Sequence, residues 1–154
     1  MSDSGDLAKL HLLKLSVGSE NVDTLRKWQK GRSDQRIAAG LDPRPRHVTR
    51  MWPRREAEIL TGGSIYWVIA RMILARQTIE EFEEVIGEDG IRRCGIVLNP
   101  EIVRVEPRPK GPFQGWRYLK PEDAPKDLDA KGMEEAKLPE ELRSELVHFG
   151  VLGG

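Results

Sequence analysis

Apolar and polar positions along the 154-residue chain alternate in short runs, and those runs predict strands more often than helices. Leu10–Val17 (LHLLKLSV) reads as a first strand ended by Gly18. Ser19 or Asn21 is placed to cap a helix over Val22–Ala38, with Gly40 as its stop. The apolar stripe of that helix is thin: Val22, Leu25 and Trp28, followed mostly by Arg. Pro43 and Pro45 forbid helix and favour an extended connection, after which His47–Trp52 reads as a short strand.

Ser64–Gln77 (SIYWVIARMILARQ) is the densest apolar segment, and its β-branched and aromatic start predicts one long strand, centred on Ile65–Leu74. Thr78 with Glu81 three residues on is a capping-box pattern and predicts a short acidic helix. Glu88-Asp89-Gly90 reads as a turn, Ile91–Leu98 and Glu101–Glu106 as strands, and Gln114–Leu119 as a last strand. Pro107, Pro109 and Pro112 predict a stiff loop between the last two. Pro121–Lys137 is acidic and Pro-containing, expected as a loosely held loop, and Leu142, Leu146 and Phe149 recur at helical spacing over 139–148. The sum is a single α+β domain spanning 1–154. It has five or six strands in a small mixed or antiparallel curved sheet or barrel, with two or three flanking helices.

Charge changes the picture. Lys and Arg number 25 and Asp and Glu 25, so the net charge is zero. The distribution is uneven. Ten bases fall between Arg26 and Arg55 with only Asp34 and Asp42 among them, whereas Thr78–Asp89 holds six acids and no base. Pro121–Glu145 holds nine acids against four bases. A basic block beside Trp is an electrostatic footprint for phosphate. No apolar run is long enough to span a membrane, and a single cysteine excludes an internal disulfide and fits a cytoplasmic location.

Candidate chemistry is sparse. The segment His47–Arg55 joins Arg50, Arg54 and Arg55 to Trp52, pairing guanidiniums that take phosphates with a stacking face for a base. The competing reading makes Trp52 core and pairs the arginines with Glu56, Glu58 or the acidic blocks. Arg71 either lines a pocket or pairs with an acid among Glu80–Glu84. Trp116 and Arg117, behind Gly115, form either a second part of a ligand surface or an aromatic plug. Cys94 shares a strand face with Ile96 and Leu98 and is expected to be a buried, unreactive thiol. His11, His47 and His148 have no metal-ligand spacing, and no nucleophile elbow, phosphate-binding Gly loop or zinc motif is present. Neither a cofactor, a metal nor a catalytic set is therefore expected, and binding is favoured over catalysis.

The stretches KLHLLKLSVG, RMWPRR, GGSIYWVI, DGIRRCGIVLNPE and PFQGWRYLKPEDAP resemble a family of small bacterial proteins of about 150 residues whose function is unknown. That resemblance implies no activity. The order strand, helix, long strand, hairpin and aromatic strand also resembles the PUA-like barrels, including the ASCH and EVE families. This second likeness implies a curved sheet holding RNA or a modified base in a basic, aromatic-lined cleft. The expected function is thus binding of single-stranded RNA or a nucleotide through Arg50, Trp52, Arg54, Arg55, Arg71, Trp116 and Arg117. The alternative is a protein–protein or homodimer surface of complementary basic and acidic faces.

Overall fold

A computed structural model describes residues 10–129 and 131–133. The elements in chain order are β1 (His11–Leu15), α1 (Val22–Ala38), β2 (Arg46–Thr49), α2 (Glu56–Ile59), β3 (Ser64–Ile69), β4 (Met72–Ile86), β5 (Arg92–Leu98), β6 (Val103–Pro109) and β7 (Trp116–Leu119). A single 3-10 turn follows at Pro121–Asp123. The fold is α+β. Seven strands form a mixed sheet in the order β2-β5-β4-β3-β1-β7, with β6 paired to β4 off that path. Only β1 and β3 run parallel; the other pairings are antiparallel. No pairing among the described residues joins β2 to β7, so the sheet stays open and the closed-barrel alternative does not form. Among the described residues no helix is long and apolar enough to cross a membrane.

The sheet has two apolar faces. One carries Leu12, Ile65, Trp67 and Ile69 with Val22 and Leu25 of α1, and continues through Ile79, Cys94, Ile96 and Leu98. The other carries Leu13, Tyr66, Val68, Ile73, Val105, Phe113 and Leu119. Strand β3 is therefore buried on both faces along its whole length. Cys94 is fully buried, and burial pushes its thiol up to about 11.

The expected single strand over Ser64–Gln77 is instead a hairpin. The chain reverses at Ala70 and Arg71, both in the left-handed region at φ 52° and 67°. Two successive positive φ values are what a tight hairpin needs, but Asn-Gly or Asp-Gly normally marks them. Nothing in Ala-Arg advertises the turn, and the apolar run on both sides hides it. Cross-strand pairing from Ser64↔Thr78 to Ile69↔Met72 sets the reversal.

The acidic helix expected at Thr78 is also corrected: β4 continues through it to Ile86. The pairing with β5 shifts register between Ile79 and Glu81. Such a bulge inserts one residue and breaks the period of two. Ile79 and Phe82 then share the core face three residues apart, which in the sequence imitates a helical repeat. The acids of this stretch pair across the sheet, Glu83 with Arg46 at 2.7 Å and Glu84 with Arg92.

Strand β6 runs on through Pro107 and Pro109, where a loop was expected. Proline is tolerated because β6 pairs with β4 alone among the named strands and its missing N–H is not needed by a second one. Part of the acidic tail is docked: Asp127 bridges to Val105 and takes two hydrogen bonds of 2.7 Å from Arg76. The helix expected over 139–148 lies outside the described residues.

Candidate functional site: a cationic cleft under helix α1

Helix α1 starts as its sequence dictates. The Asn21 side chain accepts a hydrogen bond from the Thr24 N–H at 2.8 Å, and Asp23 sits in the first turn, where its charge suits the helix dipole. Val22 and Leu25 fasten the first turns to the sheet. Beyond Leu25 the helix has almost nothing apolar to bury, and Trp28 and Ile37 are both 59% exposed. A cleft of about 770 Å³ opens between α1, the end of β1 and β2.

Its floor is the buried Leu25, Trp67 and Leu98. Its walls bring together five cationic side chains, Lys14, Arg32, Arg36, Arg44 and Arg46, with His47, and no Asp or Glu lines it. Two of the five are already neutralised from outside the cleft. Arg44 pairs with Asp42 at 2.6 Å and with Glu80 and Glu81 at 3.2 Å, and Arg46 with Glu83. Arg36 donates to the Asp42 carbonyl. Lys14 and Arg32 have no carboxylate partner among the described residues. Burial lowers the Lys14 ammonium from its ordinary value. The Arg32 guanidinium lies 4.2 Å from the centre of the exposed Trp28 ring.

His47 stands edge-on to Trp67, with ring centres 5.5 Å apart. Its Nε2 is buried without a hydrogen-bond partner. Burial, then the charges of Lys14 and Arg32, lower its pKa to about 4, so the imidazole is neutral at ordinary pH. The floor is braced by Gln77, a fully buried amide. Its carbonyl accepts from the Trp67 indole at 2.9 Å and from Gln29 at 2.8 Å. Its amide donates to Gln29 at 2.8 Å and to the Asn99 carbonyl at 3.0 Å. One residue thus fixes the Trp67 ring and ties α1 to β4.

The residues singled out from sequence fall in two other places. The segment that carries Trp52, Arg54 and Arg55 packs against β7, which carries Trp116. The Tyr118 hydroxyl accepts from the Arg54 and Arg55 N–H groups at 3.0 and 3.2 Å, and the Trp116 indole donates to the Met51 carbonyl at 2.8 Å. Trp52 packs on the core, donates to Glu56 at 3.0 Å and lies under Arg92 at 4.4 Å. Arg55 pairs with Glu58 at 2.6 Å. Arg50 and Arg54 are exposed. Arg117 belongs to the opposite face, 5.4 Å over the Phe113 ring. Arg71 sits in the β3–β4 turn, where its carbonyl accepts from the Lys110 N–H at 2.9 Å. It makes no ion pair among the described residues, and its side chain is exposed.

A smaller polar pocket of about 380 Å³ lies on that opposite face, between His11, Tyr66, Arg76 and Asp127. Asp127 neutralises the Arg76 guanidinium there. Among the described residues no group of three or more His, Cys, Asp or Glu is arranged to hold a metal.

Lys14, Trp28, Arg32 and a ligand-facing His47 are not among the site residues expected from the sequence. The signal was present in α1: a helix with two anchoring residues and a string of bases cannot cover the sheet beneath it.

A family model described as a protein of unknown function, DUF1489, matches residues 12–152. The chain belongs to the DUF1489 family. The match takes in every residue that lines the cleft, from Lys14 to Leu98. Neither a curated protein nor a solved structure matches the chain.

Proposed function

We propose that this DUF1489 protein binds single-stranded RNA or a nucleotide in the cleft under α1. The observation that carries the reading is a nucleotide-sized recess walled by five cations with no carboxylate among its lining residues. Phosphate is the ligand such a wall suits: Lys14 and Arg32 have unspent charge, and Arg32 presents its donors beside an aromatic face. Trp28, 59% exposed at the rim, offers a base the ring face that Arg32 does not cover, and stacking of this kind accepts any base. The Arg50–Arg55 surface is less suited, because the Trp52 and Trp116 indoles and the Arg55 guanidinium are engaged within the chain.

The rival reading, a partner or homodimer held by complementary charge, draws on the acidic block of β4. Arg44, Arg46 and Arg92 already neutralise much of that block internally.

Titration of labelled decauridylate and of UMP at low and moderate salt tests the proposal. Binding is expected at low salt, with log affinity falling by about 0.7 per phosphate contact for each tenfold rise in salt. Lys14→Ala and Arg32→Ala are expected to weaken binding and flatten that dependence, whereas Arg54→Ala with Arg55→Ala leaves it nearly unchanged. Trp28→Ala is expected to cost roughly 1–3 kcal/mol without altering the salt slope. Absence of binding by either probe at low salt refutes the reading, and a salt-sensitive dimer in sedimentation would favour the rival.

A further inference from the structure

We infer that Lys14, Arg32 and His47 form the phosphate seat of the cleft, in which a small rotation of the His47 ring brings Nε2 onto a phosphate oxygen and His47 takes up a proton as the anion binds. The inference rests on the reading of the cleft as an anion site and goes on to name the group that senses the anion. Two observations converge on it. His47 lines the cleft, and its Nε2 is closed off from solvent with no hydrogen-bond partner within the protein. Buried polar atoms are almost always bonded, and an exception inside a cavity marks a place where a ligand completes the bonding. The two cations whose charge acts on it, Lys14 from β1 and Arg32 from α1, both lack a carboxylate partner among the described residues, and Arg36 beside them is held only by the Asp42 carbonyl.

The charged groups around His47 decide the sign. From β1 it faces Lys14, and from α1 Arg32, with Arg36 of α1 in the same wall and bonded to the Asp42 carbonyl. On its own strand Arg46 is held by Glu83, and in the preceding connection Arg44 is held by Asp42, Glu80 and Glu81. The floor contributes only the uncharged Leu25, Trp67 and Leu98. Without an anion, burial and two positive neighbours keep the proton off. A phosphate placed among Lys14, Arg32 and Nε2 reverses both effects: it supplies an acceptor for an N–H and a negative charge beside the ring. The bound state then holds more protons than the free state. By linkage, affinity rises as pH falls, from the pKa of His47 in the complex down to about 4 in the free protein. The limit for one proton is about tenfold per pH unit.

A 5′-hydroxyl decauridylate is the probe, because its phosphodiesters keep their charge between pH 5 and 8. Calorimetry in two buffers of different ionisation enthalpy counts the protons taken up. The expected result is net uptake at pH 6 and an affinity several-fold higher at pH 5.5 than at pH 7.5. His47→Gln, which retains a neutral donor, is expected to abolish both effects, whereas Lys14→Ala weakens binding at every pH. The His47 ring resonances of the unaltered protein, titrated with and without the oligonucleotide, give the same answer without a variant; an upward displacement of the His47 pKa in the complex is expected. Binding with a flat pH profile and no uptake would overturn this inference and leave the cleft reading standing, as would unchanged uptake in His47→Gln. No binding by the unaltered protein at any pH overturns both.

Discussion

His11 shows how a single buried side chain ties stability to pH. It is 8% exposed, its Nδ1 accepts the Ser64 N–H at 3.0 Å, and its ring meets Tyr66 edge-on at 5.0 Å. With Nδ1 accepting, the ring proton belongs on Nε2 and the imidazole is neutral. Burial, then the charge of Arg76, lowers its pKa to about 4, against about 6.5 for a histidine in the unfolded chain. Between those values the unfolded state binds the extra proton. The stability contribution is therefore complete above pH 6.5 and is lost as pH falls toward 4. His47 acts in the same direction in the free protein. Urea unfolding at pH 7.5 and at pH 5 should show a lower midpoint at pH 5. His11→Asn, whose side-chain oxygen can still accept the Ser64 N–H, should reduce that difference. An equal difference in the variant would show that His11 is not its source. The charge blocks were legible at this scale, but the identity of the unpaired bases was not. Arg44 and Arg46 stand in the same basic run as Arg32, and only the position of β4 decides which of them meet acids.

Among the elements, α1 and β5 match the pattern of their sequences closely, whereas the β3–β4 hairpin does not. Helix α1 has a cap at Asn21 and a positive-φ glycine at Gly40, both local signals. The hairpin turn is carried by Ala70 and Arg71, two residues that resist the conformation they adopt. A left-handed conformation costs an ordinary L-residue roughly 1–2 kcal/mol, and Asn-Gly removes most of that cost. Ala70→Asn with Arg71→Gly is therefore expected to stabilise the protein, raising the melting midpoint by about 2–4 °C for each kcal/mol gained. The bond from Lys110 N–H to the Arg71 carbonyl survives, since only the side chain changes. RNA affinity should also be unchanged, because Arg71 lies outside the cleft. A lower midpoint would mean that the Ala70 or Arg71 side chain makes contacts worth more than the strain.

For the molecule as a whole, Gln77 is the brace between sheet and helix. It is inaccessible to solvent and bonds to Trp67, Gln29 and Asn99. Gln77→Leu keeps the volume nearly constant but leaves the buried Trp67 N–H without its acceptor, at a cost of about 1–3 kcal/mol. Urea denaturation should show that loss. The same variant should also weaken ligand binding, because α1 loses its tie to β4 on the side that carries Arg32. Lost stability with undiminished affinity would separate the brace from the cleft.

The sequence by itself determined the α+β class, the bounds of α1, most strand positions and the burial of Cys94. These follow from local rules: capping residues, glycine at positive φ, and apolar alternation that reports which face a side chain presents. The tertiary structure decided the rest. It divided Ser64–Gln77 at a turn without turn residues, because pairing with β1 and β6 rewards two strands there. It extended β4 through a bulge whose spacing imitates a helix. It also opened the cleft, which exists because α1 reaches the sheet only through its first turns. A cavity is a property of the space between elements, and Lys14, Arg32 and His47 come from three elements that no local pattern relates.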